Sequence, residues 1–412
     1  MNLGNFTKPK KVIGIDLGNH SVKAIQASKS GRKIYIEEIG YSDIDLELFN
    51  ADPVKAQTTA IELALKGMEK NKSLIVCGLP GNTAVVRYPK INVKEGEKIE
   101  DVVLKEAGQY IPFDLNDVYI SSDIIEGEPT KKANQIQIIL VASKKDVINS
   151  RLNVLGQADL QCSVFDLDSI AVYNAIKVSR LMKPGESLAI FDIGFTSSSI
   201  HFVRDFRSVF IRDLGWGGKD MIDAIVKETH QEFRQAEAML MDSAKEIISK
   251  PEAPLAEEVK EYETEEEIIA EEVEEVIVEE PIPHEDSFEE EYGFRDTIPS
   301  TKAIGGREKS IREVLLPSMS RMISEVKRSF DFYEHQLYEK PVERIIVCGG
   351  VSCYPLIGET LVHELNVDTV EVADFANENF SFSNSNTIKQ FKEHSAKFSV
   401  ALGLVARGLE EI

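Results

Sequence analysis

One hairpin motif occurs twice in the chain and constrains it more than any other feature. Val12 to Gln26, VIGIDLGNHSVKAIQ, reads as two strands joined by a tight Asp-Leu-Gly-Asn turn, and Leu188 to Val203, LAIFDIGFTSSSIHFV, repeats it. Asp192 and Gly194 stand where Asp16 and Gly18 stand, 176 residues further along. Each copy has an apolar run suited to a buried strand, an acidic residue at its end, a glycine, and small hydroxyl or amide residues before the next strand. The spacing is that of half a two-lobed protein.

Such a turn exposes backbone N–H groups, and its glycine leaves room for an oxygen-rich ligand to come close. A carboxylate there repels a bare phosphate. With Mg²⁺ between them the aspartates become useful, because Mg²⁺ favours a few carboxylates, retained waters and phosphate oxygens. Two hairpins facing each other across a Mg-nucleotide are therefore expected. A single Asp-x-Gly is as readily an ordinary hairpin closure; the repetition favours the ligand reading.

The 412 residues suffice for two or more domains. Their apolar runs are strand-sized, well short of the roughly 18 residues a membrane span needs. MNLGNFTKPKK has no apolar core, so a secretory signal is not expected. Cys77, Cys162, Cys348 and Cys353 form no Cys-x-x-Cys pair and read as reduced residues of a cytoplasmic protein. The net charge of −23 is local: residues 251–296 carry −18 and the remainder only −5. That distribution gives no support to nucleic-acid binding through a basic face.

Helices are expected over Pro53–Lys70, Val93–Gln109, Lys144–Gly156, Asp166–Leu181, Lys219–His230, Gln231–Ile248, from Ile311 onward, Leu356–Leu365 and Phe391–Leu409, with strands between them. Residues from about 80 to 160 read as a small unit inserted between the repeats. Gly215-Trp216-Gly217-Gly218 precedes a helix, which makes either an anion site or a plain helix-entry turn. Arg344–Cys348 is a buried strand running into Gly349-Gly350 and a helix, a junction at which a nucleotide base can lie close to the backbone. The glutamate-rich stretch 251–300, punctuated by prolines, has the composition of a solvated linker, with Ile268, Ile269, Val273 and Val276 as weak anchors.

GIDLG (14–18), FDIG (191–194), LGWGGKD (214–220) and IIVCGG (345–350) occur in the order found in the actin-like ATPase superfamily. Within it, LPGNTAVVRYPKI (79–91), KEAGQYIPFDLNDV (105–118), IILVASKKDVINSR (138–151), VFDLDSIAVYNA (164–175) and EVKRSFDFYE (325–334) closely resemble the PilM family of type IV pilus assembly. The resemblance covers nearly all of the chain outside the acidic stretch. It implies an α/β actin-like fold, two duplicated lobes around a nucleotide cleft with an inserted small α+β subdomain. On that reading the first-lobe core is 1–79, the inserted subdomain 80–165, the connecting helix 166–186 and the second-lobe core 187–250. The acidic insertion is 251–300, the adenosine region of the second lobe 301–390, and 391–412 a C-terminal helix packing back on the first lobe.

The resemblance also implies ATP and Mg²⁺ in the cleft. Asp16, Gly18, Asn19 and Ser21 would hold the first phosphate side with help from Lys23, and Gly194, Phe195, Thr196 and Ser197 the second. Asp16 and Asp192 would reach Mg²⁺, the latter through water, while Gly217, Gly218, Gly349, Gly350 and Ser352 would surround sugar and base. Glu237 would bind the ribose. Leu240 stands where the family has a lysine, a departure that bears on adenine selectivity. A groove near the inserted subdomain, with Tyr110, Ile111, Pro112 and Phe113 as its lip, would take the cytoplasmic N-terminus of a PilN-like membrane protein; those residues could equally fill the subdomain's own core. The implied function is an ATP-binding adaptor that, as a ring of copies of itself, links pilus motor ATPases to the inner-membrane platform. Asp166, Asp168 and Ser169 could lie near the γ-phosphate or simply cap a helix, and ATP turnover, if any, is expected to be slow. The alternatives are a small-molecule kinase of the same superfamily, for which no sugar site is recognisable, and an FtsA-like membrane-associated filament protein, whose amphipathic tail is poorly matched by GLVARGLEEI.

Overall fold

The computed structural model describes residues 10–31, 33–125, 134–249 and 309–412. The acidic insertion lies outside them. In chain order the first lobe opens with β1 (Lys11–Leu17), β2 (Ser21–Ser30), β3 (Lys33–Asp43), α1 (Leu46–Ala51), α2 (Pro53–Ala64) and β4 (Ser73–Leu79). The inserted unit follows with β5 (Ala84–Arg87), β6 (Lys90–Asn92), α3 (Ile99–Glu106), β7 (Val118–Ile124) and β8 (Gln135–Lys144). The chain then returns through α4 (Lys145–Gln157), β9 (Cys162–Leu167) and α5 (Asp168–Val178). The second lobe comprises β10 (Ser187–Ile193), β11 (Ser198–Arg204), β12 (Arg207–Leu214), α6 (Gly218–Thr229), α7 (Phe233–Ser249), α8 (Ile311–Asp331), β13 (Arg344–Gly349), α9 (Pro355–Glu364) and β14 (Thr369–Val372). β15 (Phe380–Phe382), α10 (Ser385–His394) and α11 (Ser399–Glu411) close the chain.

The two large sheets share one plan. In the first, an antiparallel β3-β2-β1 meander continues through parallel β4 and β9; in the second, β12-β11-β10 continues through parallel β13 and β14. The central strands β1 and β10 are apolar on both faces, as strands covered by helices on each side must be. The repeat read from the sequence is thus a repeat of whole sheets.

Three boundaries differ from expectation. β9 pairs with β4, and Val154 and Leu155 of α4 join the first-lobe core, so the inserted unit's own sheet ends with β8 at Lys144 rather than at residue 165. β15 pairs with β3, which returns the chain to the first sheet by residue 380. Both pairings join segments far apart in sequence, which local periodicity does not encode. The continuous C-terminal helix is instead α10, a short 3₁₀ turn over Ser395–Phe398, and α11. Other helices are shorter than expected, α2 stopping at Ala64 and α3 spanning only Ile99–Glu106. A turn at Asp205 and Phe206, both at positive φ, separates β11 from β12.

α11 packs against α5, β1 and β4, and its small residues permit very close approach. A Cβ placed on Gly403 would lie 1.6 Å from the Ala171 carbonyl oxygen. Around this crossing, Val12, Ala171, Leu188, Ile346, Ala401 and Leu404 form one core shared by both lobes. It forms the floor beneath the cleft.

Candidate functional site

The two turns meet at the mouth of a cleft of about 1220 Å³, including its open entrance. In the first, the Gly18 N–H donates to the Ser21 carbonyl at 3.2 Å; in the second, the Gly194 N–H donates to the Ser197 carbonyl at 3.1 Å. The same bond therefore closes both turns. They touch directly, since Asn19 Nδ2 donates to Thr196 Oγ1 at 2.7 Å.

Behind the turns lies a concentration of acid. Asp16 ends β1, Asp192 lies near the end of β10, and Asp168 opens α5; all three line the cleft. Lys23 Nζ lies 3.2 Å from Asp16 Oδ2, its cross-strand partner. Among the described residues, the Asp192 side chain has only the Ser399 hydroxyl, at 3.4 Å. Burial, then the charge of Asp16, pushes the Asp192 carboxyl up to about 7. The same causes push Asp168 well above the usual carboxylate range. Asp168 Oδ1 and Ser169 Oγ are buried without a hydrogen-bond partner among the described residues, and α5 has no side-chain cap. Buried polar atoms without partners are costly, and a cation with its water would relieve both. Among the described residues no three side chains converge closely enough to hold a metal by themselves. A cation here would share its coordination with water and ligand oxygens, the pattern Mg²⁺ favours.

Of the two readings of the glycine loop before α6, the structure shows the helix-entry turn. Gly217 N–H donates to Asp220 Oδ2 at 2.8 Å, Gly218 N–H to the Gly194 carbonyl at 3.0 Å, and Lys219 N–H to the Phe195 carbonyl at 2.8 Å. The helix N-terminus is occupied by the second turn, which it clamps in place. Buried Trp216 fixes the loop from behind, its Nε1 donating to Ser318 Oγ at 2.9 Å. Gly218 lines the cleft and Gly217 does not.

Gly349 and Gly350 line the cleft beside Val351, with the Gly350 N–H donating to the Ile193 carbonyl at 3.0 Å. Ser352 is buried, and its hydroxyl folds back to the Gly349 carbonyl at 2.8 Å, so it braces the loop rather than facing the cavity. Glu237 on α7 lines the cleft, but Leu240 is fully buried in the second-lobe core. Met241, one position on, is the residue that borders the cavity.

Four titratable residues that line the cleft, His20, Tyr41, Asp213 and Lys397, went unassigned in the sequence. His20 sits inside the first turn, with Nε2 3.0 Å from Glu237 Oε1 on the opposite lobe. Asp213, lifted to about 6 by burial, lines the wall opposite Gly81, and Lys397 and Tyr41 complete it. His20 and Asp213 stand inside or directly before quoted motifs, and that position was the only signal for them.

A buried hydrogen-bond chain joins the cleft to the inserted unit. His201 Nδ1 lies 3.3 Å from the Ser169 carbonyl, and its Nε2 lies 2.7 Å from Ser208 Oγ, which in turn lies 2.8 Å from the Tyr88 hydroxyl. Burial lowers the His201 pKa to about 4, so the ring is neutral at neutral pH; Nδ1–H donates to the carbonyl and Nε2 accepts. Within the inserted unit Ile111 belongs to the core, with Tyr110 and Phe113 packed on it. Pro112 is exposed, as are Leu104 and Tyr119.

The family described as type IV pilus assembly protein PilM matches residues 14–246 and 286–409. The chain belongs to the PilM family. Its fold resembles a structure described as a PilM-PilN type IV pilus biogenesis complex with a TM-score of 0.70 and 18% identity, covering 98% of this chain and 99% of that one. Similarity extends more weakly to ethanolamine utilization protein EutJ from Carboxydothermus hydrogenoformans, at TM-score 0.46, 11% identity and coverage of 98% and 91%. Component A of the (R)-2-hydroxyglutaryl-CoA dehydratase of Acidaminococcus fermentans is comparable, at 0.45, 11%, 97% and 98%. The family match and the PilM-PilN structure give the chain the actin-like ATPase fold of the PilM family. Among the described residues, no helix is long and apolar enough to cross a membrane.

Proposed function

We propose that the protein is an ATP-binding adaptor of the inner-membrane type IV pilus assembly complex, cytoplasmic and held at the membrane through its partners. The observation that carries the nucleotide reading is the unpartnered pair Asp168 Oδ1 and Ser169 Oγ, buried beside Asp16 and Asp192 beneath two facing glycine turns. Asp16 and Asp192 would hold Mg²⁺ through water, and the backbone of Gly18 to Ser21 and Gly194 to Ser197 would flank the phosphates. Glu237 and the Gly349-Gly350 edge would take the sugar and base. ATP would supply a polyanion that engages both lobes and a phosphoanhydride bond whose hydrolysis is slow.

The partner reading rests on family membership and on the exposed apolar side chains of the inserted unit. The surface of Tyr110, Pro112 and Phe113, on a unit that also exposes Leu104 and Tyr119, suits the cytoplasmic N-terminal peptide of a PilN-like membrane protein. Ile111 is withdrawn from that lip because it is core. Through the Tyr88, Ser208 and His201 chain, the lobe state would reach the peptide surface and, beyond it, the motor ATPases.

The test is to identify the co-purified nucleotide, follow phosphate release from Mg-ATP, and titrate a PilN-type N-terminal peptide. Tight ATP, release far below the roughly 10 per second of a typical enzyme, and saturable peptide binding are expected. Fast release, or phosphate transfer to an added sugar, would move the assignment to a motor or kinase.

A further inference from the structure

The first turn reaches across the cleft with a side chain that the phosphate reading leaves unused. His20 Nε2 lies 3.0 Å from Glu237 Oε1, and the imidazole rests on Phe195 of the second turn, ring centroids 4.6 Å apart. Both His20 and Glu237 are half-buried and line the cavity. The elements around His20 present further charges: Asp43 on β3, 3.9 Å from Nδ1, and, toward Glu237, Arg234 on α7 and Lys397. Glu237 is held below the usual carboxylate range chiefly by its hydrogen bond to His20.

We infer that His20 is a positioning residue that sets the nucleotide's sugar specificity by fixing Glu237 as an ionised acceptor for ribose hydroxyls. The inference rests on the nucleotide reading and on Glu237 as the ribose contact. The physical basis is the acceptor capacity of a carboxylate. Its two oxygens offer about four lone-pair sites, so one N–H from His20 orients the group and leaves capacity for a ligand hydroxyl. Phe195 packs against the ring at a tilt of 41°, and Phe195 is itself braced by Phe233 at 6.0 Å and by the Lys219 N–H to its carbonyl. A glutamate without such a brace must lose side-chain freedom on binding, which weakens each bond it makes. A polar acceptor built to pair with a hydroxyl also discriminates strongly against a ligand that lacks one.

The experiment measures the affinity of the full-length protein for Mg-ATP and Mg-2′-deoxy-ATP, and for the 3′-deoxy analogue, in wild type, His20→Ala, His20→Gln, Glu237→Ala and the double variant. Wild type is expected to favour ATP over at least one deoxy analogue by about tenfold or more. His20→Ala should reduce that ratio to near that of Glu237→Ala while leaving affinity for the affected deoxy analogue nearly unchanged. His20→Gln, whose amide N–H can replace Nε2–H, should restore most of the ratio. In the Glu237→Ala background, removing His20 should add nothing. An unchanged ratio in His20→Ala, or equal loss for ATP and both analogues, would overturn the inference while leaving nucleotide binding intact. Absence of ATP binding in wild type would overturn both the inference and the reading beneath it.

Discussion

The two hairpins share a turn and differ in charge. Gly18 and Gly194 donate the same bond, at 3.2 and 3.1 Å, to the carbonyls of Ser21 and Ser197. Directly opposite the aspartate, however, the first hairpin has Lys23 and the second has Ser199. Asp16 therefore carries its counterion, while Asp192 is left to a distant serine hydroxyl and is pushed up to about 7. A second difference lies deeper: His201 stands where the first hairpin has buried Ile25, and it ties the cleft to the inserted unit. On the proposed reading the backbone of the repeat is kept because the turn would cradle an anion. The side chains differ in a way that fits two tasks, one hairpin neutralising charge and the other accepting a cation.

The largest expected effect comes from removing the unpaired acid. Asp192→Asn should weaken Mg-dependent ATP binding by about 10- to 100-fold, the range for a residue acting on a metal through its hydration shell, as read by calorimetric titration. The same variant should be more stable than wild type without metal at alkaline pH. The sign follows from linkage: the native carboxyl keeps its proton up to about 7, whereas the unfolded chain releases it near 4, so wild-type stability falls as pH rises across that window. Denaturant unfolding at pH 5 and pH 8 should show the gap between variant and wild type widening by roughly 2 kcal/mol.

The turns themselves give a graded test. A Cβ on Gly194 would lie 2.5 Å from the Ser197 carbonyl oxygen, against 3.0 Å for Gly18 and Ser21. Gly194→Ala should cost about 2 kcal/mol and Gly18→Ala about 1, because the first has no backbone room and the second can yield slightly. Equal unfolding midpoints for the two would contradict the tighter clamp on the second turn.

His201→Ile gives the second hairpin the first one's residue. It removes the ring that satisfies Ser208 and the Ser169 carbonyl, and should cost about 1–3 kcal/mol. It should also loosen the inserted unit, raising amide exchange in β5 and β8 without abolishing ATP binding. Unaltered exchange there would separate the cleft from that unit. The smallest effect is expected from Lys23→Ser, which makes the first hairpin resemble the second. Loss of one partly exposed ion pair beside the proposed cation should weaken ATP by about threefold and steepen its dependence on Mg²⁺.

What could be read from the sequence was whatever is carried by contiguous residues. The hairpin turns, the Gly349-Gly350 junction and the small-residue face of α11 are local chemistry, and they stand where expected. The placement of β9 and β15 was not legible, because a parallel pairing across tens or hundreds of residues leaves no local pattern. The loop Gly215–Gly218 could be read as an anion site or as a plain helix-entry turn, because the first N–H groups of a helix have no partner within it. Only the fold reveals that the Asp220 side chain and the Gly194 and Phe195 carbonyls occupy them. Leu240 drew attention as a substitution, yet α7 turns that position into the core and presents Met241 instead. Helical periodicity alone did not decide which of two adjacent apolar residues faces the cavity.

The most direct measurement is a titration of the purified, nucleotide-stripped protein with ATP, with and without Mg²⁺, in wild type and Asp192→Asn. Tight binding that requires Mg²⁺ in wild type and is weakened at least tenfold in the variant is the expected result. Equal binding with and without Mg²⁺, or an Asp192→Asn variant that binds Mg-ATP as wild type does, would contradict a cation held between the two turns.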